Sequence, residues 1–165
     1  DADIPFEVVP GISAFQLAAA RLRVEFTIPE LVQSIILTRI SGRTQVPDSE
    51  ELSSLAAHRS TLCLYLSARH IESAQQKLMQ HYPAQTPVAI CFRLGWSDEK
   101  IRVVPLNQMA EVTQQESLIR TTLYVISPAL SAPTVPYEFA GIDRVTGKRS
   151  QLYHPNHDRL FKDKS

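Results

Sequence analysis

The chain has 165 residues, 44% of them hydrophobic and 21% charged, proportions that suit a globular domain with one sizeable core. Lysine plus arginine and aspartate plus glutamate both number 17, so no net field draws in nucleic acid or an anionic membrane, and any anion site has to be local. No apolar run approaches the roughly 18 residues needed to span a bilayer, and the first residues lack the zones of a signal peptide, so a cytoplasmic protein is expected, with no membrane and no nucleic-acid partner.

In chain order, Phe6, Val8 and Val9 suit a strand, whereas Ala14, Phe15, Leu17, Ala18 and Leu22 suit a helix with a broad apolar face. The period changes at Pro10-Gly11: proline cannot donate to a sheet ladder, and glycine tolerates a tight turn. Ser13 and Gln16 have the spacing of a capping box, so a helix is expected from about Ser13, its positive dipole end just beyond the strand's carboxyl end. A strand follows over 34–40 and then a polar connection. Asp48 and Glu51 open the next helix as a second capping box, running to about His58. "TLCLYLS" is a continuous apolar strand over 61–67. The stripe Ile71, Ala74, Leu78, Met79 marks a helix over 69–81, closed by Pro83.

"PVAICFRL" over 87–94 is a buried strand, and the turn "GWSDE" returns the chain in the more polar "KIRVVPL", an antiparallel hairpin partner. Helix signals resume over 107–115, and "RTTLYVISPAL" supplies a last buried strand. The fold class expected is α/β, with a mixed, mostly parallel sheet of about five strands flanked by helices. Residues 1–130 form the domain, and 131–165, rich in proline, glycine and charge, an extended tail. Cys63 and Cys91, inside apolar runs and without a metal-like spacing, read as buried reduced thiols. "HPNHD" at 154–158 reads as a turn of the tail, so no metal site is expected.

"EVVPGISAF" with its alanine-rich helix, "ILTRISGRTQVP", "STLCLYLSARHI", "TPVAICFRLGWSDEKI" and "IRTTLYVISPAL", together with "SQLYHP" in the tail, occur in an order that resembles the second half of the tetrapyrrole methylases of corrin and sirohaem synthesis. The stretch "LTR-x-x-GRT-x-x-P" narrows the resemblance to the branch that methylates ring carbon 11. It covers residues 6 to about 130, so the chain looks like the carboxyl-terminal half of a longer enzyme. The glycine-rich turn and Gly-Asp-Pro motif of the family's first domain do not occur here. By itself the chain is therefore expected to have no methyltransferase activity and at best weak cofactor affinity.

The resemblance implies S-adenosylmethionine as cofactor, a tetrapyrrole substrate, the missing N-terminal domain as a partner and a homodimer. Methyl transfer from a sulfonium to a ring carbon is an in-line displacement that needs neither metal nor covalent intermediate, and it gains most from holding the reacting atoms close and excluding water. No catalytic acid, base or nucleophile is assigned. By resemblance, Ser13, Ala14, Leu66, Ser67, Arg93, Leu94, Thr121 and Thr122 surround the cofactor. Ser13 and Ser67 also read as plain helix caps, Leu66 as core, and the two threonines as strand starters.

A tetrapyrrole is a polycarboxylate and calls for arginines able to pair bidentately. Arg39 and Arg43, flanking Ser41-Gly42, are the candidates, with solvated surface arginines as the bland alternative. Three other readings stay open. One is a non-catalytic dimerisation or interaction module anchored by the tail aromatics Tyr137, Phe139, Tyr153 and Phe161. Another is a methylase acting at a different tetrapyrrole position. A nucleotide-phosphate site at the lone Pro-Gly turn is weaker, because one glycine falls far short of a glycine-rich fingerprint.

Overall fold

In the computed structural model, residues 4–42 and 45–131 are described, and within them helices and strands alternate. The helices are α1 (Ala14–Leu22), α2 (Leu52–Ala56), α3 (Ile71–Met79) and α4 (Met109–Gln115). The strands are β1 (Ile35–Arg39), β2 (Thr61–Tyr65), β3 (Pro87–Phe92), β4 (Lys100–Pro105) and β5 (Thr122–Ile126), in the spatial order β1-β2-β5-β3-β4. Arg43, the tail aromatics and "HPNHD" lie outside the described residues.

The sheet is mixed and flanked by helices, as expected, but it is not mostly parallel. Only β1 and β2 pair in parallel; β2–β5, β5–β3 and β3–β4 are antiparallel. The reason is where β5 goes. The helix-linked strands β1, β2 and β3 run the same way, as crossovers through helices require. The last strand then slots between β2 and β3 in the opposite sense and converts what would be a parallel contact into two antiparallel ones.

Alternation along the central strands divides the core in two. Leu62, Leu64, Val88, Ile90, Tyr124 and Ile126 point to the face covered by α2, α3 and α4, against Leu52, Ile71, Ala74, Leu78 and Met109. Cys63, Ala89, Cys91, Leu123 and Val125 point to the other face, where Ala18 of α1 and Phe26 cover them. Each fully buried Leu or Ile contributes about 1.5–3 kcal/mol over its exposed state. The run "TLCLYL" is thus continuously apolar because both of its faces are covered.

Two expectations fail at the ends of elements. Residues 4–13 form no strand, and Phe6 and Val9 are 87% and 74% exposed. Strand propensity is realised only against a neighbouring strand, and none lies alongside this segment. Gly11 has open space around it and a φ outside the left-handed region, so it supplies no special turn angle. The second capping box is also absent. Asp48–Glu50 is a 3-10 turn, Glu51 is extended at the N-cap of α2, and the helix ends at Ala56. Glu51 is used elsewhere, accepting from Ser41 Oγ at 2.9 Å and from Lys77 Nζ of α3 at 2.5 Å, and these two donors lower its pKa, Lys77 most.

A candidate donor cleft at the strand tips

At one end of the sheet lie the carboxyl ends of β2 and β3 and the amino end of the antiparallel β5 between them. The residue just past each tip has a left-handed backbone: Leu66 (φ 53) after β2, Arg93 (φ 50) after β3 and Thr121 (φ 56) before β5. This region is disfavoured for any side chain and more so for β-branched threonine; each such residue costs about 1–2 kcal/mol. Strain of this kind, placed side by side at one sheet end, is what ligand sites accumulate. The Arg93 N–H donates to Thr121 O at 2.9 Å, tying two of the three turns together.

A cleft of about 520 Å³ opens at these turns, large enough for a drug-sized ligand. Its walls are Ala14 from the start of α1, Tyr65 at the end of β2 with Leu66 to Arg69 after it, Cys91 in β3 and Leu94 beyond it, and Ile119 to Leu123 running into β5. Among the described residues lining it there is neither a carboxylate nor a histidine. Burial, then the proximity of Cys63 and Glu99, pushes the Cys91 thiol up to about 12, so it is a neutral wall and not a nucleophile. The arrangement can hold, orient and dehydrate a ligand. It carries no evident acid-base or covalent chemistry.

Of the residues expected around a cofactor, Ala14, Leu66, Ser67, Leu94, Thr121 and Thr122 line this one cleft. Ser13 does not. It is the N-cap of α1, its N–H donates to Gln16 Oε1 at 3.0 Å, and its hydroxyl lies 3.3 Å from Tyr65 Oη. Arg93 faces an adjoining recess instead, with its guanidinium 3.0 Å from Asp98 and 4.5 Å over the Trp96 ring. Ser67 makes no helix cap, since its buried hydroxyl accepts from Ile40 N–H at 3.1 Å and donates to Tyr65 O at 2.7 Å. Thr122 Oγ1 likewise turns to its own backbone neighbourhood, donating to Leu118 O at 2.8 Å. Arg39 lies outside the cleft, beside Tyr65 on its far wall, and donates to Gln45 O at 3.3 Å.

Sequence reasoning missed Tyr65, Cys91, Arg69 and Arg120. Tyr65 joins two elements, its Oη accepting Phe15 N–H at 3.2 Å and so fixing the first turn of α1 against the tip of β2. Its place beside "LS" in the strand-ending "YLS" is the signal that was available.

The sequence profile of the Tetrapyrrole (Corrin/Porphyrin) Methylases matches residues 1–110. The chain belongs to this family. It is 36% identical over 160 residues to a cobalt-precorrin-4 C(11)-methyltransferase of Methanocaldococcus jannaschii, covering 96% of the chain and 57% of that relative. It is 35% identical over 152 residues to a precorrin-4 C(11)-methyltransferase of Pseudomonas aeruginosa, covering 92% and 59%. The crystal structure of a cobalt-precorrin-4 methyltransferase of cobalamin biosynthesis superposes with a TM-score of 0.73 at 32% identity, over 76% of this chain and 53% of that one. The chain thus spans a little over half the length of the methylases it matches.

Proposed function

We propose that this chain forms part of an S-adenosylmethionine-dependent methyltransferase that methylates ring carbon 11 of precorrin-4 or cobalt-precorrin-4 in cobalamin biosynthesis, with the strand-tip cleft receiving the donor. The observation that carries this is the convergence of Ala14, Leu66, Ser67, Leu94, Thr121 and Thr122 on one apolar cleft in a member of the tetrapyrrole methylases. A sulfonium donor needs such a wall: a transferable methyl group reacts by in-line attack, and the site contributes by placement and by exclusion of water. The relatives named for precorrin-4 and for cobalt-precorrin-4 are equally similar, so both metallation states belong to the proposal.

The cleft is open, with Leu66 84% exposed and Thr121 exposed beside it. A ligand site normally covers most of its ligand, so the 165-residue chain by itself is expected to bind the donor more weakly than micromolar and to show no turnover. The test suits weak binding. Chemical-shift mapping with millimolar S-adenosylhomocysteine should perturb the amides of Ala14, Leu66, Leu94 and Thr121. Perturbation confined to other surfaces, or none at saturating ligand, overturns the assignment.

A second reading, a dimerisation or interaction module, is favoured by the exposed run Ile4, Phe6, Val8, Val9 and Ile12. Sedimentation equilibrium separates the two. A dimer that dissociates when Phe6 and Val9 are changed to serine supports it, and a monomer at all concentrations removes it.

A further inference from the structure

The chain is neutral overall, yet cations gather at one mouth of the cleft. A second recess of about 530 Å³ adjoins it and shares Arg69, Ile119, Arg120 and Thr121 with it. Its remaining lining includes Trp96, Phe92 and Arg93. The cation Arg93 is spent, paired with Asp98 and stacked on Trp96. Arg69 and Arg120 are different: both are exposed, and among the described residues neither forms an ion pair and no carboxylate lines either cavity.

Two guanidinium groups with no ion pair among the described residues therefore border both cavities, beside the exposed side chains of Ile119, which lines both, and of Trp96, which lines the second. Like charges are placed together at a cost unless an anion joins them, and guanidinium groups favour carboxylates for their matching bidentate geometry. Exposed apolar and aromatic lining with cations beside it suits a planar ligand that carries its carboxylates on its perimeter.

The geometry points to Arg69 and Arg120 as a carboxylate-recognition pair for the methyl acceptor, an inference that rests on the donor-cleft reading above. They hold a peripheral carboxylate of the macrocycle at the ridge, and so set which edge of the acceptor faces the donor in the neighbouring cleft. The same carboxylate chemistry is available from the aminoacyl end of the donor. The apolar lining beside the arginines favours the acceptor, because the donor's small zwitterionic end has no use for it.

The experiment uses the 165-residue chain with two probes, uroporphyrin III, which carries eight peripheral carboxylates, and S-adenosylhomocysteine. Porphyrin binding is followed by its absorbance, and donor binding by amide shifts. Uroporphyrin should bind, its octamethyl ester should bind at least tenfold more weakly, and raised salt should weaken the acid form alone. Arg69→Ala and Arg120→Ala should each weaken uroporphyrin about five- to tenfold and S-adenosylhomocysteine, whose cleft they border, by no more than about twofold, and Arg69→Lys should restore part of the uroporphyrin loss. If the substitutions weaken S-adenosylhomocysteine and spare uroporphyrin, the arginines serve the donor and the acceptor assignment is overturned. If both ligands bind wild type and ignore both substitutions, the pair has no recognition role although the donor cleft stands. If wild type binds neither, the functional reading falls with it. Both side chains are exposed, so loss of fold, checked by circular dichroism, is not expected.

Discussion

The hydroxyl of Ser67 accepts the backbone N–H of Ile40 at 3.1 Å while donating to Tyr65 O at 2.7 Å, so one buried side chain ties the ends of β1 and β2. Leu66, in its left-handed conformation, sits between the two ends of this clamp. The serine therefore acts on the cleft through Leu66 and is a positioning residue. Ser67→Ala leaves the buried Ile40 N–H without an acceptor and should cost about 1–3 kcal/mol in urea denaturation. It should also broaden the Leu66 amide resonance. Unchanged stability would mean that the strand ends do not depend on this hydroxyl.

Leu66 offers the opposite trade. Its side chain is 84% exposed, so truncation removes no core, and its φ of 53 suits glycine. Relief of about 1–2 kcal/mol of backbone strain offsets the 0.5–1 kcal/mol that glycine's chain entropy costs. Leu66→Gly should leave the chain as stable as the parent or up to about 1 kcal/mol more stable, while S-adenosylhomocysteine binding weakens several-fold. A loss of stability instead would assign Leu66 a packing role that its exposure does not suggest.

Much of this architecture is written in local pattern, and the parts that are not share a cause. The apolar run over 61–65 and the "GWSDE" hairpin are legible because their information is local: double burial makes a run, and a short turn forces antiparallel pairing. The position of β5 between β2 and β3 is a choice among distant partners, on which no local pattern bears. Phe6, Val8 and Val9 mislead for the same reason, having strand propensity and no strand beside them. At the cleft, Leu66, Leu94 and Thr121 are named by family resemblance, and they line one cavity. The left-handed turns at Leu66 and Thr121 are hidden, because leucine and threonine are residues that argue against that conformation. Arg39 is legible within a motif and lies outside the cleft, whereas Arg69 and Arg120, far apart in sequence, come to the same cleft only through folding.

Two buried tyrosines should respond differently to the same substitution. Tyr82 Oη donates to Ser60 O at 2.6 Å, whereas the buried Tyr124 Oη finds no partner of good geometry among the described residues, its neighbour Thr113 donating to Met109 O at 2.7 Å. Tyr82→Phe removes a satisfied bond and should cost about 1 kcal/mol or somewhat more. Tyr124→Phe removes an unsatisfied hydroxyl from the core and should be neutral or stabilising. Equal losses in chemical denaturation would show that Tyr124 has a partner after all.

The same buried groups set an alkaline limit on the fold. Burial raises Tyr82 and Tyr124 from 10 to about 12, and Cys63 and Cys91 from 9 to about 12. In each case the folded state holds the proton at a pH where the unfolded chain releases it. The stabilising contribution is therefore complete below the unfolded value and is lost as pH rises through the folded one. The cysteines begin to act near pH 9 and the tyrosines near pH 10, each removing about 1.4 kcal/mol per pH unit until its folded value is reached. Unfolding free energy measured in urea should accordingly be flat to just below pH 9, fall by about 2 kcal/mol to pH 10 and then fall about twice as steeply. Replacing both cysteines by alanine should abolish the first segment and leave the tyrosine-driven fall in place, with a lower plateau from lost packing. A decline starting near pH 9 that persists unchanged in the double variant would show that the thiols ionise freely in the native state and do not guard the core.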